Sequence, residues 1–359
     1  MTTNNLLLDA NTKHQLSVIQ VGQQSALKFL PYLKEAREEI TKQLLKAESI
    51  ITKKELNELN RIIEKKLIEI YSKYPKVLLK DNKELVKAEF KFQKSILNEA
   101  ITAAPAITLP NIDKAIATIL NTPISLGVKG GGFYYNEILK GFAKQEAKRV
   151  RSRITAGYFN SETVAQIAQA ISGTKRNGYK DGLLNVTRAN AYTIAKTGTT
   201  HTQVQAATSV FKDNSDIIDR YQILSTLDSK TSLKCRSLDG QVFKIGQGPL
   251  PAFHPGCRTA ITSVLKDKYN IPSAKADRLS ETGDVGANTT AYGWLKRQPL
   301  DIQNQALGKE RALIFRNSGL SPEEFRKASV DQFYEPLTIA QMAVKDKRIA
   351  DYIKSTSQS

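Results

Sequence analysis

Cysteine, histidine, tryptophan and methionine are all scarce in this chain: two Cys, three His, one Trp and two Met in 359 residues. Two cysteines cannot staple a chain of this length, so a disulfide framework is excluded. Long apolar runs are missing too, because Lys or Glu interrupts each of them, and no segment reads as a bilayer span. The opening MTTNNLLLDANTKHQ lacks a basic lead followed by an apolar core, which predicts no secretory signal and synthesis in a cytoplasm. Aromatics, at 7%, are few, which favours helices packed through Leu, Ile and Ala. Acidic charge is short as well: 35 Asp and Glu face 53 Lys and Arg, a formal charge of +18. Such an excess points to a polyanionic neighbour or, more plainly, to Lys-rich helices that keep the chain in solution.

The length suits two or three units, and composition shifts divide the chain into 1–102, 103–136, 137–266 and 267–359. Residues 15–102 read as long helices. Leu33, Ile40, Leu44, Leu45, Ile51, Leu56, Leu59, Ile63, Leu67 and Ile70 form one apolar stripe, and Leu85, Phe90, Ile96, Leu97 and Ile101 form another. Pro75 ends or kinks the first. Residues 103–136 form a connector with Pro105, Pro110 and Pro123, a short helix over 112–120, and a hinge at Gly130-Gly131-Gly132. From residue 137 the chain turns basic. Lys140, Lys144, Lys148, Arg149, Arg151 and Arg153 fall within fourteen residues, and Lys175 and Arg176 follow in a turn. Helical geometry cannot put the first six on one face, so they are either solvated or a phosphate-facing patch. Asn160-Ser161 is read as the cap of a helix that Gly173 stops, and another helix is read from Leu183 to Ala207. Tyr221–Leu224 and Gln241–Ile245 read as strands, 280–286 as loop, and Ser321-Pro322-Glu323-Glu324 as a helix start. The fold class expected is mainly α, with a small α+β module near residues 220–262 containing a short β-hairpin and a Cys/His turn.

Both cysteines and one histidine fall inside that module. Eighteen residues separate Cys235 from His254, and two separate His254 from Cys257. Thiolate and imidazole are good zinc ligands, and a structural zinc takes four, so Asp228, Asp239 and His201 are candidates to complete the set. Two other readings stay open: a metal-free packed turn with buried thiols, and a disulfide. Arg258 is expected to brace the turn by a forked pair with Asp228 or Asp239.

The string Asp228-x2-Thr231-x3-Cys235-x2-Leu238-Asp239-Gly240, followed by Pro251-x2-His254-Pro255-x-Cys257-Arg258, resembles the phage Mu F-like minor head protein family, also called phage head morphogenesis proteins. The resemblance covers about residues 140–340, including Thr290-Ala-Tyr292-Gly293-Trp294 and Leu337-Thr338-Ile339, and makes 137–266 the head morphogenesis domain. Ser232 stands where many members carry a further cysteine, and Thr259 where many read Cys-Arg-Cys. The resemblance implies a structural, non-enzymatic head component of a tailed bacteriophage inside the capsid. Its implied partners are the portal, other head proteins and non-specific double-stranded DNA, with no membrane and no small-molecule substrate. Zinc is the only cofactor it leaves room for, and Thr231, Leu238, Gly240, Pro251, Pro255 and Arg258 shape the motif. A metal-dependent nuclease using Asp228, Asp239 and His254, and a portal or scaffold adaptor without a DNA role, are the alternatives.

Overall fold

The computed structural model describes residues 2–47, 52–101, 105–124, 132–273 and 275–357. Four long helices open the chain: α1 (Thr3–Leu27), α2 (Leu30–Leu45), α3 (Lys53–Tyr71) and α4 (Lys73–Ala100). Helix begins at Thr3 rather than near residue 15, because α1 buries polar side chains such as Asn11, Thr12 and Gln15 and so shows no clean apolar stripe. Thr52 starts α3 with a capping box closed by Glu55. Pro75 falls in the first turn of α4, where its missing N–H leaves no bond unmade, so the break lies just ahead of it at Ser72. Both apolar stripes are buried apart from Leu45, which faces solvent; Ile51 lies outside the described residues.

The connector holds α5 (Ile112–Leu120), capped by Asn111, and a minimal pairing of β1 (Pro123–Ile124) with β2 (Phe133–Tyr134). The hinge glycines Gly130 and Gly131 lie outside the described residues. Next come α6 (Tyr135–Phe159), α7 (Val164–Ser172) and α8 (Leu183–Asp213). The cap of α7 is Thr163, not Asn160-Ser161. Thr163 has Gln166 three residues on to return its bond, whereas Asn160 ends α6. Helix α8 passes Ala207 and runs to Asp213 through the centre of the molecule, packed by α1, α4, α5, α6 and α7. Its small residues allow this. A Cβ at Gly198 would lie 2.1 Å from the Tyr135 hydroxyl.

The module follows: β3 (Ile218–Leu224), α9 (Leu233–Leu238), β4 (Val242–Lys244) and β5 (Ala260–Leu265). The strands form an antiparallel sheet in the order β4-β3-β5, with Tyr221 opposite both Phe243 and Ser263. The third strand, β5, is an addition to the expected hairpin. It packs against α1 and α8, and five of its six residues are buried, which erases the two-residue alternation that marks half-exposed strands. Residues 280–286 are not loop: β6 (Asp277–Ser280) and β7 (Gly283–Gly286) make a hairpin, with Gly283 at φ 109° where the chain reverses. The tail is α10 (Ala291–Lys296), α11 (Leu300–Leu307), α12 (Lys309–Asn317), α13 (Pro322–Ala328), α14 (Ile339–Lys345) and α15 (Lys347–Ser357). Ser321 caps α13 through Glu324 as its sequence predicts.

One hydrophobic core draws on residues from Leu7 to Leu265, so the N-terminal helices and the β-sheet share it. A second gathers Leu227 with Tyr292, Trp294, Phe315, Phe325 and Met342. Helix α1 reaches the module directly: Asn11 donates to Thr262, and the Gln15 amide donates to the carbonyls of Leu224 and Arg258. No helix of the described residues is long and apolar enough to cross a membrane.

Candidate metal centre

Two arms build the site. In the first, Ser232 caps α9, accepting the Cys235 N–H at 3.2 Å, which fixes Cys235 in the first turn with its sulfur inward. Gly240, at φ 77°, then turns the chain from α9 into β4, a left-handed position that favours glycine. In the second arm the Cys257 N–H bonds the His254 carbonyl at 3.1 Å, closing a tight turn over Pro255 and Gly256. Helix α8 holds that turn at two points. Thr200 donates to the Cys257 carbonyl at 2.6 Å, and the Gly256 N–H donates to Thr197 at 2.8 Å.

The arms bring Cys235, His254 and Cys257 together, with their ligand atoms all within 4.8 Å of one another. The sulfurs are 3.7 Å apart, so the disulfide reading falls. That spacing is the edge a metal would set: two thiolates at about 2.3 Å from a tetrahedral zinc lie about 3.8 Å apart. Cys235 Sγ and His254 Nε2 are 3.1 Å apart. The corresponding S–N edge is about 3.5 Å, so the ring need shift only by tenths of an ångström. His254 Nδ1 lies 3.0 Å from the Pro255 carbonyl. A carbonyl only accepts, so the neutral ring keeps its proton on Nδ1 and offers the Nε2 lone pair inward.

The electrostatics favour one thiolate of the pair. Its hydrogen bond to Cys257, together with burial, pushes the Cys235 thiol up, so that sulfur holds a proton. Burial opposes the Cys257 thiolate, but the bond from Cys235 and the neighbouring His254 ring outweigh it and draw Cys257 well below an ordinary thiol. Cys257 in turn raises His254.

Neither carboxylate joins the cluster, which corrects the expectation that Asp228 and Asp239 are ligands. Asp228 is gripped by Arg258 through two bonds of 2.6 and 3.0 Å and also accepts from Thr231 and the Lys230 N–H. Burial works against its charge, yet the Arg258 contacts prevail and its pKa is lowered. Asp239 accepts the N–H groups of Ser225 and Ala291 and both terminal nitrogens of Arg278. Its oxygens are fully used. Thr231 shares its one hydroxyl proton between Asp228 and the Thr226 carbonyl, Leu238 and Pro251 are buried, and Pro255 is exposed.

His201 is no ligand either. Its Nε2 meets the Ile119 carbonyl at 3.0 Å and its ring lies edge-on to Tyr135. Burial pushes its pKa from 6.5 to about 4. The unfolded ring therefore protonates before the folded one, and stability is lost as pH falls from 6.5 toward about 4. At 1.36 kcal/mol per unit the loss is about 3 kcal/mol. Urea unfolding of His201→Gln, which can keep the bond to Ile119, is expected to show that slope flattened; an unchanged slope would assign it elsewhere.

The basic residues divide. Arg149, Arg151 and Arg153 are paired with Glu146, Glu64 and Glu162. Lys140, Lys144 and Lys148 form an exposed stripe along α6, and Lys175 and Arg176 sit on an exposed turn. Several residues that position the cluster gave no local signal: Gln15, Thr197 and Thr200, the fully buried Arg236, which donates to the Thr231 carbonyl, and Arg278.

The expectation of a chain with no enzymatic capacity is overturned by the cluster. Three protein ligands able to coordinate a metal ion, with no fourth His, Cys, Asp or Glu joining them among the described residues, match the ligand count of catalytic rather than closed structural sites. No protein-family model, curated protein or solved structure matches this chain.

Proposed function

We propose that this chain is a minor head protein of a tailed phage, built around a zinc-holding knuckle. The observation that carries the reading is the convergence of Cys235, His254 and Cys257 within 4.8 Å. Around them, other residues of the resembling motif have physical tasks. Arg258 and Asp228 clasp each other across the turn, Gly240 reverses the chain, and Asp239 ties α9 to β6 and α10. Two sulfurs and an imidazole nitrogen select zinc over oxygen-seeking magnesium or calcium. Bound zinc would supply Lewis acidity at its open place. The chain's own residues orient the ring through Pro255 and hold the turn through Thr197 and Thr200.

In this reading the chain works inside the capsid, after assembly in the host cytoplasm. Its partners are the portal, other head proteins and, through its surplus charge, packaged DNA without sequence preference. The N-terminal helices are the place for portal contacts. Metal analysis should find one zinc per chain, and mass spectrometry of purified virions should find the protein at low copy. Absence from virions would end the head-protein reading.

The open coordination place favours a second reading, a metal-dependent nuclease. Asp228 and Asp239 are engaged by arginines, so hydrolysis would rest on the zinc ligands alone. Plasmid nicking that needs zinc and disappears in His254→Ala would support it; no nicking at any metal concentration would remove it.

A further inference from the structure

A cavity of about 440 Å³ opens beside the Cys257 turn, within the usual size of small-ligand pockets. Its walls come from α1, α8, the loop that carries Lys230 and the turn from Gly256 to Arg258. Lys196, Lys230 and Arg258 line it, and no Asp or Glu does so among the described residues. Arg258 is matched by Asp228. Lys196 and Lys230 enter no ion pair among the described residues. The ammonium of Lys196 instead lies 5.8 Å from the centre of the Tyr192 ring, another wall of the cavity.

Two cations without an ion-pair partner line one concave site, Lys196 half-buried and Lys230 exposed, and their field favours an anion there. The half-buried Lys196 is steadied by Tyr192, so part of the cost of ordering a long side chain is already met. The aromatic wall suits a ligand with a flat or apolar body beside its charged group.

We infer that this cavity is a phosphate-binding site, taking either a backbone phosphate of nucleic acid or a free phosphate. It goes beyond a diffuse attraction to DNA, because it assigns the contact to Lys196 and Lys230 rather than to the α6 stripe. It stands whether or not the neighbouring cluster holds metal.

The test uses the full chain with two probes, a duplex DNA oligonucleotide followed by fluorescence anisotropy over a salt series and inorganic phosphate followed by calorimetry. The variants are Lys196→Gln, Lys230→Gln and their double. For the oligonucleotide, each substitution is expected to lower the log–log salt slope by about 1, as for a lost phosphate contact. Phosphate binding abolished in the double variant, with the oligonucleotide unaffected, would assign the pocket to free phosphate. If the double variant weakens neither probe, the inference is overturned. The triple variant Lys140→Gln, Lys144→Gln, Lys148→Gln keeps the broader reading separate. Oligonucleotide binding weakened there alone would preserve DNA contact while removing this pocket, and a wild-type chain that binds no oligonucleotide would remove DNA contact itself.

Discussion

Cys257→Ser is expected to bring the zinc content of the purified protein from about one per chain to background. A serine hydroxyl stays protonated at neutral pH, whereas the surroundings of Cys257 already favour its thiolate. The stability consequence follows from linkage. A ligand present at a hundred to a thousand times its dissociation constant stabilises the folded state by roughly 3–4 kcal/mol, and the variant loses that increment. A chelator should therefore lower the midpoint of the wild type and leave Cys257→Ser unmoved. Asp228→Asn is the discriminating partner. Its oxygens serve Arg258, Thr231 and the Lys230 backbone, so it should keep its zinc while its loop loosens. Zinc retained by Cys257→Ser, or lost by Asp228→Asn, would mean that the ligand set is not the one described.

What could be read from the sequence was local. Helix α5, the capping box of α13 and the stop at Gly173 follow from propensities and caps that act over three or four residues. The Cys/His turn was legible for the same reason, since His254 and Cys257 lie within one turn of each other. What escaped depends on partners distant in sequence. Strand β5 lost its alternation because it is buried. Arg151 of the basic run is claimed by Glu64, on another helix. His201 missed the cluster by one residue of helical phase. Thr200 faces the Cys257 carbonyl, and a step of about 100° carries His201 to Ile119 and Tyr135. Asp239 looked like a ligand because nothing near it in sequence announces Arg278, thirty-nine residues on.

Asp239→Ala is expected to be the most damaging single change to the fold, at about 3–5 kcal/mol, the range for removing one partner of a buried ion pair. Asp239 and Arg278 are 1% and 2% exposed, so water cannot take over the abandoned guanidinium. The same substitution strands the N–H groups of Ser225 and Ala291. These bonds join the end of β3 and the end of α9, in the first core, to β6 and the start of α10, beside the second. Loss should therefore loosen the second core first. The single tryptophan, Trp294, is fully buried there and reports it. Its fluorescence midpoint in urea should fall further than the midpoint of the far-ultraviolet helical signal, separating two transitions that coincide more closely in the wild type. The double variant Asp239→Leu, Arg278→Met removes both charges and should recover part of the loss, because the penalty lies in the unpaired charge more than in the missing attraction. Equal shifts of both signals, or a double variant as unstable as the sum of its singles, would show that the pair does not couple the two cores.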